Sequence, residues 1–170
     1  MQLLDALTQV GNRRFLEIHL QSRLEELKKY RLPFGVIYAD VDRLKNINAT
    51  YGASVGDQVL HMVAQTFANN IRFFDLIVRW ESDEFVVAVT NVDSNTLDLV
   101  ANKLRLLVEK SGLMADEAMV RATVSLGAVP AHRVDDVETM LAKARELMRR
   151  SKWLGRNAVS LPQADENEPF

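Results

Sequence analysis

Phe34-Gly35-Val36-Ile37-Tyr38-Ala39-Asp40-Val41 decides the fold. The stretch is almost wholly apolar, follows Pro33 and runs into acid at Asp40 and Asp42. A strand apolar on both of its alternating faces is covered by other layers on both sides, so it belongs at the centre of a sheet. Upstream, Leu16, Leu20, Leu24 and Leu27 recur at helical spacing and predict a helix over Asn12 to Arg31, stopped by Pro33. Downstream, a short helical stretch over Arg43 to Tyr51 breaks at Gly52, and a longer helix over Ser54 to Ile71 carries Val55, Val59, Val63 and Phe67. Asp75 to Trp80 and Glu84 to Val89 read as two strands of one hairpin. A helix over Asn95 to Lys110 ends at Gly112. It is followed by one strand over Val120 to Val129, a last helix over Asp135 to Lys152 closed by Gly155, and a short strand at Ala158 to Leu161. Helices and strands alternate, but one pair of strands is a hairpin. The expected class is therefore α/β, an α+β sandwich with a mixed central β-sheet of about five strands flanked by helices.

The chain has 170 residues, enough for one domain with a real core. Hydrophobic residues make up 48% and charged residues 26%, which excludes collagenous and disordered classes. A net charge of −2 provides no basic field to recruit nucleic acid. Cysteine is absent, which excludes disulfide scaffolds, thiolate zinc sites and cysteine nucleophiles. No apolar run approaches the ~20 residues of a membrane helix. The expected location is the cytoplasm. Residues 162–170 are acidic and contain two prolines, and read as a linker or frayed end after a single domain over 1–161.

Two acidic pairs stand where the chemistry should be. Asp40 and Asp42 close the first strand, on one face by the period of two. Asp83 and Glu84 occupy the turn of the hairpin. Acids far apart in sequence and brought together at strand ends suit a hard divalent cation that assists phosphoryl or nucleotidyl transfer. The plainer alternative makes Asp40 and Asp42 capping acids for the helix that begins at Arg43.

The motifs, taken in order, resemble the GGDEF domain, the catalytic module of diguanylate cyclases. Asp5-Ala6-Leu7-Thr8 with Asn12-Arg13-Arg14 is similar to the family's opening D-x-L-T-G-L-x-N-R-R. Asp40-Val41-Asp42-Arg43-Leu44-Lys45-Asn46-Ile47-Asn48 is similar to D-x-D-x-F-K-x-x-N, and Tyr51-Gly52 with Gly56-Asp57 to Y-G-H-x-x-G-D. Arg79-Trp80-Glu81-Ser82-Asp83-Glu84-Phe85 stands at the signature, Thr123 to Ala128 at T-x-S-x-G-x-A, and Lys152 with Gly155-Arg156-Asn157 at A-K-x-x-G-R-N. The resemblance spans about residues 5 to 161 and implies a nucleotide-cyclase, palm-type ferredoxin-like fold.

It also implies roles. Asp40, Asp83 and Glu84, with the Val41 carbonyl, would bind Mg²⁺ (Mn²⁺ is the alternative), and Asp83 and Glu84 would be the catalytic pair, Glu84 helping to activate the attacking hydroxyl. Asn48 and Asp57 would read guanine, the carboxylate accepting from N1–H and the 2-amino group. Lys45, Lys152 and Arg156 would bind phosphates. The alternative for Lys152 and Arg156 is a basic helix end that complements the dipole. Arg72 and Asp75 stand at the family's R-x-x-D inhibitory site for the product, cyclic di-GMP, against the alternative of a surface ion pair. GTP, cyclic di-GMP and a homodimer are the implied partners, since each domain holds half a site.

The signature reads Glu81-Ser82-Asp83-Glu84-Phe85, without its two glycines. A tight hairpin turn would force Ser82 into the left-handed region at about 1–2 kcal/mol, and Glu81 would place a negative charge near a triphosphate. Gln9, Leu44, Ala49, Ala53, Arg145 and Arg149 also depart from the family pattern. Two functions follow. One is a diguanylate cyclase condensing two GTP, slowed by its turn. The other is a degenerate module that binds GTP or cyclic di-GMP and regulates an attached domain, such as a sensory domain or an EAL phosphodiesterase, in a longer protein. A palm-type polymerase core is disfavoured by the short chain and the lack of a basic template surface.

Overall fold

The computed structural model describes residues 2–163. Residues 164–170, most of the expected linker, lie outside them. The elements run α1 (Arg13–Tyr30), β1 (Phe34–Val41), α2 (Leu44–Tyr51), α3 (Ala53–Ala68), β2 (Leu76–Glu81), β3 (Glu84–Thr90), α4 (Ser94–Lys110), β4 (Leu113–Ala115), β5 (Ala118–Val120), β6 (Val124–Pro130), α5 (Val137–Trp153) and β7 (Val159–Ser160). A five-stranded sheet has the order β2-β3-β1-β6-β7. Its pairs are antiparallel except for β6 with β7, so the sheet is mixed and β1 lies at its centre.

Alternation along β1 sends Ile37, Ala39 and Val41 to a core built with α2, α3 and α4, and Val36 and Tyr38 to a second core built with α1 and α5. Both clusters are nearly dry. Leu16, Leu20, Val59, Phe67, Phe85 and Leu104 have no exposed surface, each worth roughly 1.5–3 kcal/mol of burial. Three helix starts carry their own acceptors. Asn12 caps α1 through the Phe15 amide, Asp93 caps α4 through Thr96, and Asp136 forms a capping box with Thr139 on α5.

Four expectations need correction. The strand expected over Val120 to Val129 is broken at residues 121–123. Its first part pairs with β4 in a separate hairpin, and its second part joins the sheet as β6. The break falls where the Asp42 amide donates to the Thr123 carbonyl at 2.9 Å, so the chain bends around Asp42. Helix α3 ends at Ala68 rather than Ile71, because the Asn70 side chain donates to the Thr66 carbonyl and competes with the next helical turn. Asp135 lies before α5. Its buried carboxylate accepts from the His132 amide at 2.9 Å and from Lys143 Nζ at 2.8 Å. Lastly, Ser82 is not in the left-handed region. Among the described residues, the non-glycine ones there are Gln9, Arg31, Arg43, Asn91, Asp116, Arg156 and Asn157. A register shift between Arg79 and Glu81 supplies the curvature that two glycines would otherwise provide. The expected strain in the signature turn is therefore absent.

A candidate metal and nucleotide site at the end of the central strand

Asp40 sits next to the end of β1, opposite Glu84 of β3 and Ser125 of β6. The Val41 amide donates to the Asp83 carbonyl at 3.0 Å, which ties the signature turn to the strand end. Arg79 holds the turn from the other side: its Nε donates to the Ser82 carbonyl at 2.9 Å, and its Nη1 lies 3.4 Å from Asp5. The charge that Glu81 adds is met by Arg13, 3.3 Å away, whose guanidinium also lies 4.1 Å from the centre of the Trp80 ring.

Asp40, Asp83 and Glu84 each bring one carboxylate oxygen to within 4.8 Å of the others. An octahedral ion with ligands at ~2.1 Å sets its oxygens about 3–4 Å apart, so small side-chain adjustments would close this set on one cation. Glu84 Oε2 is a buried acceptor with no hydrogen-bond donor, and Asp40 Oδ1 is met by Lys152 Nζ at 3.3 Å. Burial raises the Asp40 carboxyl to about 7; Lys152 opposes the rise, and Asp83 and Glu84 add to it. Crowded oxygens, an unpartnered acceptor on Glu84 and a carboxyl reluctant to ionise together fit a hard divalent cation.

Asp42 does something different from Asp40. Its carboxylate accepts from Thr123 Oγ1 at 2.7 Å, Ser125 Oγ at 2.6 Å, Lys152 Nζ at 3.1 Å and the Asn157 amide at 3.1 Å. Burial alone would raise its pKa; these donors outweigh burial and hold it below the usual carboxylate value. Nor does it cap α2, whose N-cap is Arg43 without a side-chain hydrogen bond, so the capping alternative fails. Lys152 bridges Asp42 and Asp40, at 3.1 and 3.3 Å, and so reaches inward to the acids rather than only decorating a helix end.

The other expected residues surround this centre. An ideal Cβ on Gly56 would fall 1.7 Å from Asn48 Oδ1, so the missing side chain at Gly56 is what lets the Asn48 amide lie on the first turn of α3 beside Asp57. Both Asn48 and Asp57 are exposed, as are Lys45 on α2 and Arg156 after α5. Arg72 and Asp75 lie away from the acids, in the loop before β2. Asp75 is buried and takes bonds from the Arg72 and Thr90 amides at 2.9 and 3.1 Å, while Arg72 also reaches the Thr90 carbonyl and packs over Phe74. The Arg72–Asp75 ion pair of the plainer reading is present at 3.3 Å, and the buried Asp75 also ties the loop to β3.

Reading the residues alone missed Asn157, Ser125 and Thr123 as partners of Asp42, although the T-x-S spacing, which puts both hydroxyls on one side of β6, was a usable signal. It also missed Arg145, whose Nη2 lies 3.5 Å from Glu84 Oε1.

Comparison with known proteins gives the family and the fold. The family model "Diguanylate cyclase, GGDEF domain" matches residues 2–158. The chain is 33% identical over 162 residues to diguanylate cyclase DosC of Escherichia coli K12, covering 95% of this chain and 35% of that protein. It is 32% identical over 158 residues to the response regulator PleD of Caulobacter vibrioides, covering 91% of this chain and 35% of PleD. The chain thus spans about a third of the length of these curated relatives. In fold it matches the crystallised coiled coil and GGDEF domain of DgcB from Caulobacter crescentus in complex with c-di-GMP, with a TM-score of 0.89 at 21% identity, covering 94% of this chain and 85% of that one. With the family model covering nearly all the described residues and the signature acids at the sheet centre, the chain belongs to the GGDEF family and is homologous to the diguanylate cyclases.

Proposed function

We propose that this domain binds GTP with a divalent cation and, as a face-to-face pair, condenses two GTP into cyclic di-GMP with release of two pyrophosphates. The observation that carries the reading is the convergence of Asp40, Asp83 and Glu84 within 4.8 Å at the end of β1. Asp40, Asp83 and Glu84, with the Val41 carbonyl, would hold the ion, Mg²⁺ or Mn²⁺. When bound, it supplies positive charge to the triphosphate and acidity to a coordinated hydroxyl.

The chain's own residues do the remainder. Asn48 and Asp57 bind the guanine edge, where a carboxylate and an amide complement its donors and acceptor. Lys45 and Arg156 hold the outer phosphates, and Lys152, paired with Asp40 and Asp42, adds a positive charge beside them. Glu84 would help to take the proton that the 3′-hydroxyl of the facing nucleotide loses. In each of two equivalent steps that oxygen forms a bond to the α-phosphorus and pyrophosphate leaves. Pairing of domains is intrinsic to this scheme, since each supplies one nucleotide.

Arg72 and Asp75 are assigned to product binding by the same reading. Arg72 is half-exposed beside the fully exposed Phe73, while Asp75 is already engaged. Cyclic di-GMP would therefore have to draw Arg72 away from the Thr90 carbonyl. The regulatory alternative shares all of these binding residues and differs only in turnover.

Calorimetric titration of the protein with GTP and with ATP, in Mg²⁺ and in chelator, tests the site. Wild type is expected to prefer GTP and to need the ion, Asp57→Ala to lose the preference, and Asp83→Asn to lose the ion dependence. Equal binding of the two nucleotides, or binding indifferent to Mg²⁺, would count against the reading.

A further inference from the structure

We propose that Arg145 is a positioning residue that competes with the divalent ion for Glu84, holding this carboxylate in the ion's absence and setting how much ion the site requires. The inference rests on the reading of Asp40, Asp83 and Glu84 as the metal seat.

Arg145 approaches Glu84 from α5 by one oxygen only, Nη2 lying 3.5 Å from Oε1. The other oxygen, Oε2, is buried without a donor, whereas Asp40 Oδ1 faces Lys152 Nζ at 3.3 Å. Arg145 Nε is likewise buried without a hydrogen-bond partner, so the guanidinium is not locked by a second acceptor. It also has somewhere to go. A cavity of about 720 Å³ between α1, the tip of β2 and α5 is lined by Arg145 together with Tyr38, Trp80, Glu81 and Glu138. Tyr38, beneath Glu84 on the same face of the sheet, is buried and offers no rival positive charge.

Charge decides the direction. Three carboxylates meet two cations, Lys152 and Arg145. Lys152 is shared with Asp42 and stays anchored by it, whereas the ion pair of Arg145 is with Glu84. A guanidinium a few ångströms from a doubly charged ion repels it strongly at the effective dielectric of a half-buried site. Removing that charge should tighten binding of the bare ion, which is the opposite of what damage to the fold would do.

The test is Mn²⁺ binding without nucleotide, followed by the paramagnetic resonance signal of the free ion. Arg145→Gln and Arg145→Met are expected to bind Mn²⁺ about tenfold more tightly than wild type, and Arg145→Lys, which keeps the charge, to stay close to it. Arg149→Gln, on the same helix but paired with Glu146, should change nothing. In a Glu84→Gln background the gain from Arg145→Gln should shrink severalfold, as expected of a directly coupled pair. Unchanged or weaker binding in both neutral variants would overturn the competition while leaving the metal seat in place, and so would an equal gain from Arg149→Gln. No Mn²⁺ binding by any of these proteins would overturn the metal seat itself and the inference with it.

Discussion

Asp40 and Asp42 lie two residues apart on one side of the same strand end, and their surroundings give them opposite electrostatic roles. Asp42 is met by hydroxyls, an ammonium and an amide, so its folded pKa lies below the ordinary carboxylate value. A depressed carboxylate contributes stability that is complete above its unfolded pKa and is lost as pH falls through the folded one. Asp42→Asn should therefore lower the stability of the metal-free domain by about 2–4 kcal/mol at neutral pH, measured by urea unfolding, with the deficit narrowing in acid below about pH 4. Asp40 runs the other way. Its pKa is raised to about 7, so the folded state binds more protons than the unfolded one between about pH 4 and 7, and stability falls as pH rises through that window. In chelator, Asp40→Asn should raise the thermal midpoint at pH 7.5 and remove this slope, while abolishing binding of Mn²⁺. A midpoint unchanged or lowered at pH 7.5 would show that Asp40 carries no electrostatic cost.

At the scale of elements, the site depends on how closely α5 lies on the sheet. An ideal Cβ on Gly127 would fall 2.2 Å from the Ala144 carbonyl oxygen, a backbone atom that can move only with the helix. Gly127→Ala should therefore displace α5, cost about 1–3 kcal/mol or more, and pull Lys152 and Arg145 away from the acids. Gly56→Ala meets only the end of the Asn48 side chain, so it should leave unfolding nearly unchanged and weaken nucleotide binding instead. The signature turn makes a third case. Ser82 is unstrained, and Glu81 pairs with Arg13, so Glu81→Gly with Ser82→Gly relieves nothing. The pair should lower stability by roughly 1 kcal/mol through backbone entropy, read as a reduced urea midpoint. Most of these elements were legible from apolar periodicity, because the long amphipathic helices and the doubly buried β1 leave little choice. The β4–β5 hairpin and the break before β6 were not legible, because residues 113–129 carry no strong turn signal and the bend is imposed by Asp42 from a distant part of the chain. The strain expected at Ser82 failed for a related reason. A bulge at Trp80, set by pairing with β3, curves the ribbon before the turn is reached.

For the whole molecule, the acids and their order along the chain pointed to the centre that the sheet assembles, because strand ends bring Asp40 and Glu84 into register however far apart they are in sequence. The inward turn of Lys152 and the contact between Arg145 and Glu84 could not be read in advance, since they depend on how α5 packs. No helix among the described residues is long and apolar enough to cross a membrane. The central claim is that two such domains, each holding one GTP, make cyclic di-GMP. The most direct measurement is chromatographic analysis of GTP and Mg²⁺ incubated with the protein over a wide range of protein concentration. Cyclic di-GMP and pyrophosphate are expected in a ratio of one to two, with a rate rising with about the square of protein concentration while the domains are mostly unpaired, and no product from Asp83→Asn. GTP binding without cyclic di-GMP at any protein concentration would contradict the central claim and leave a nucleotide-binding regulatory module in its place.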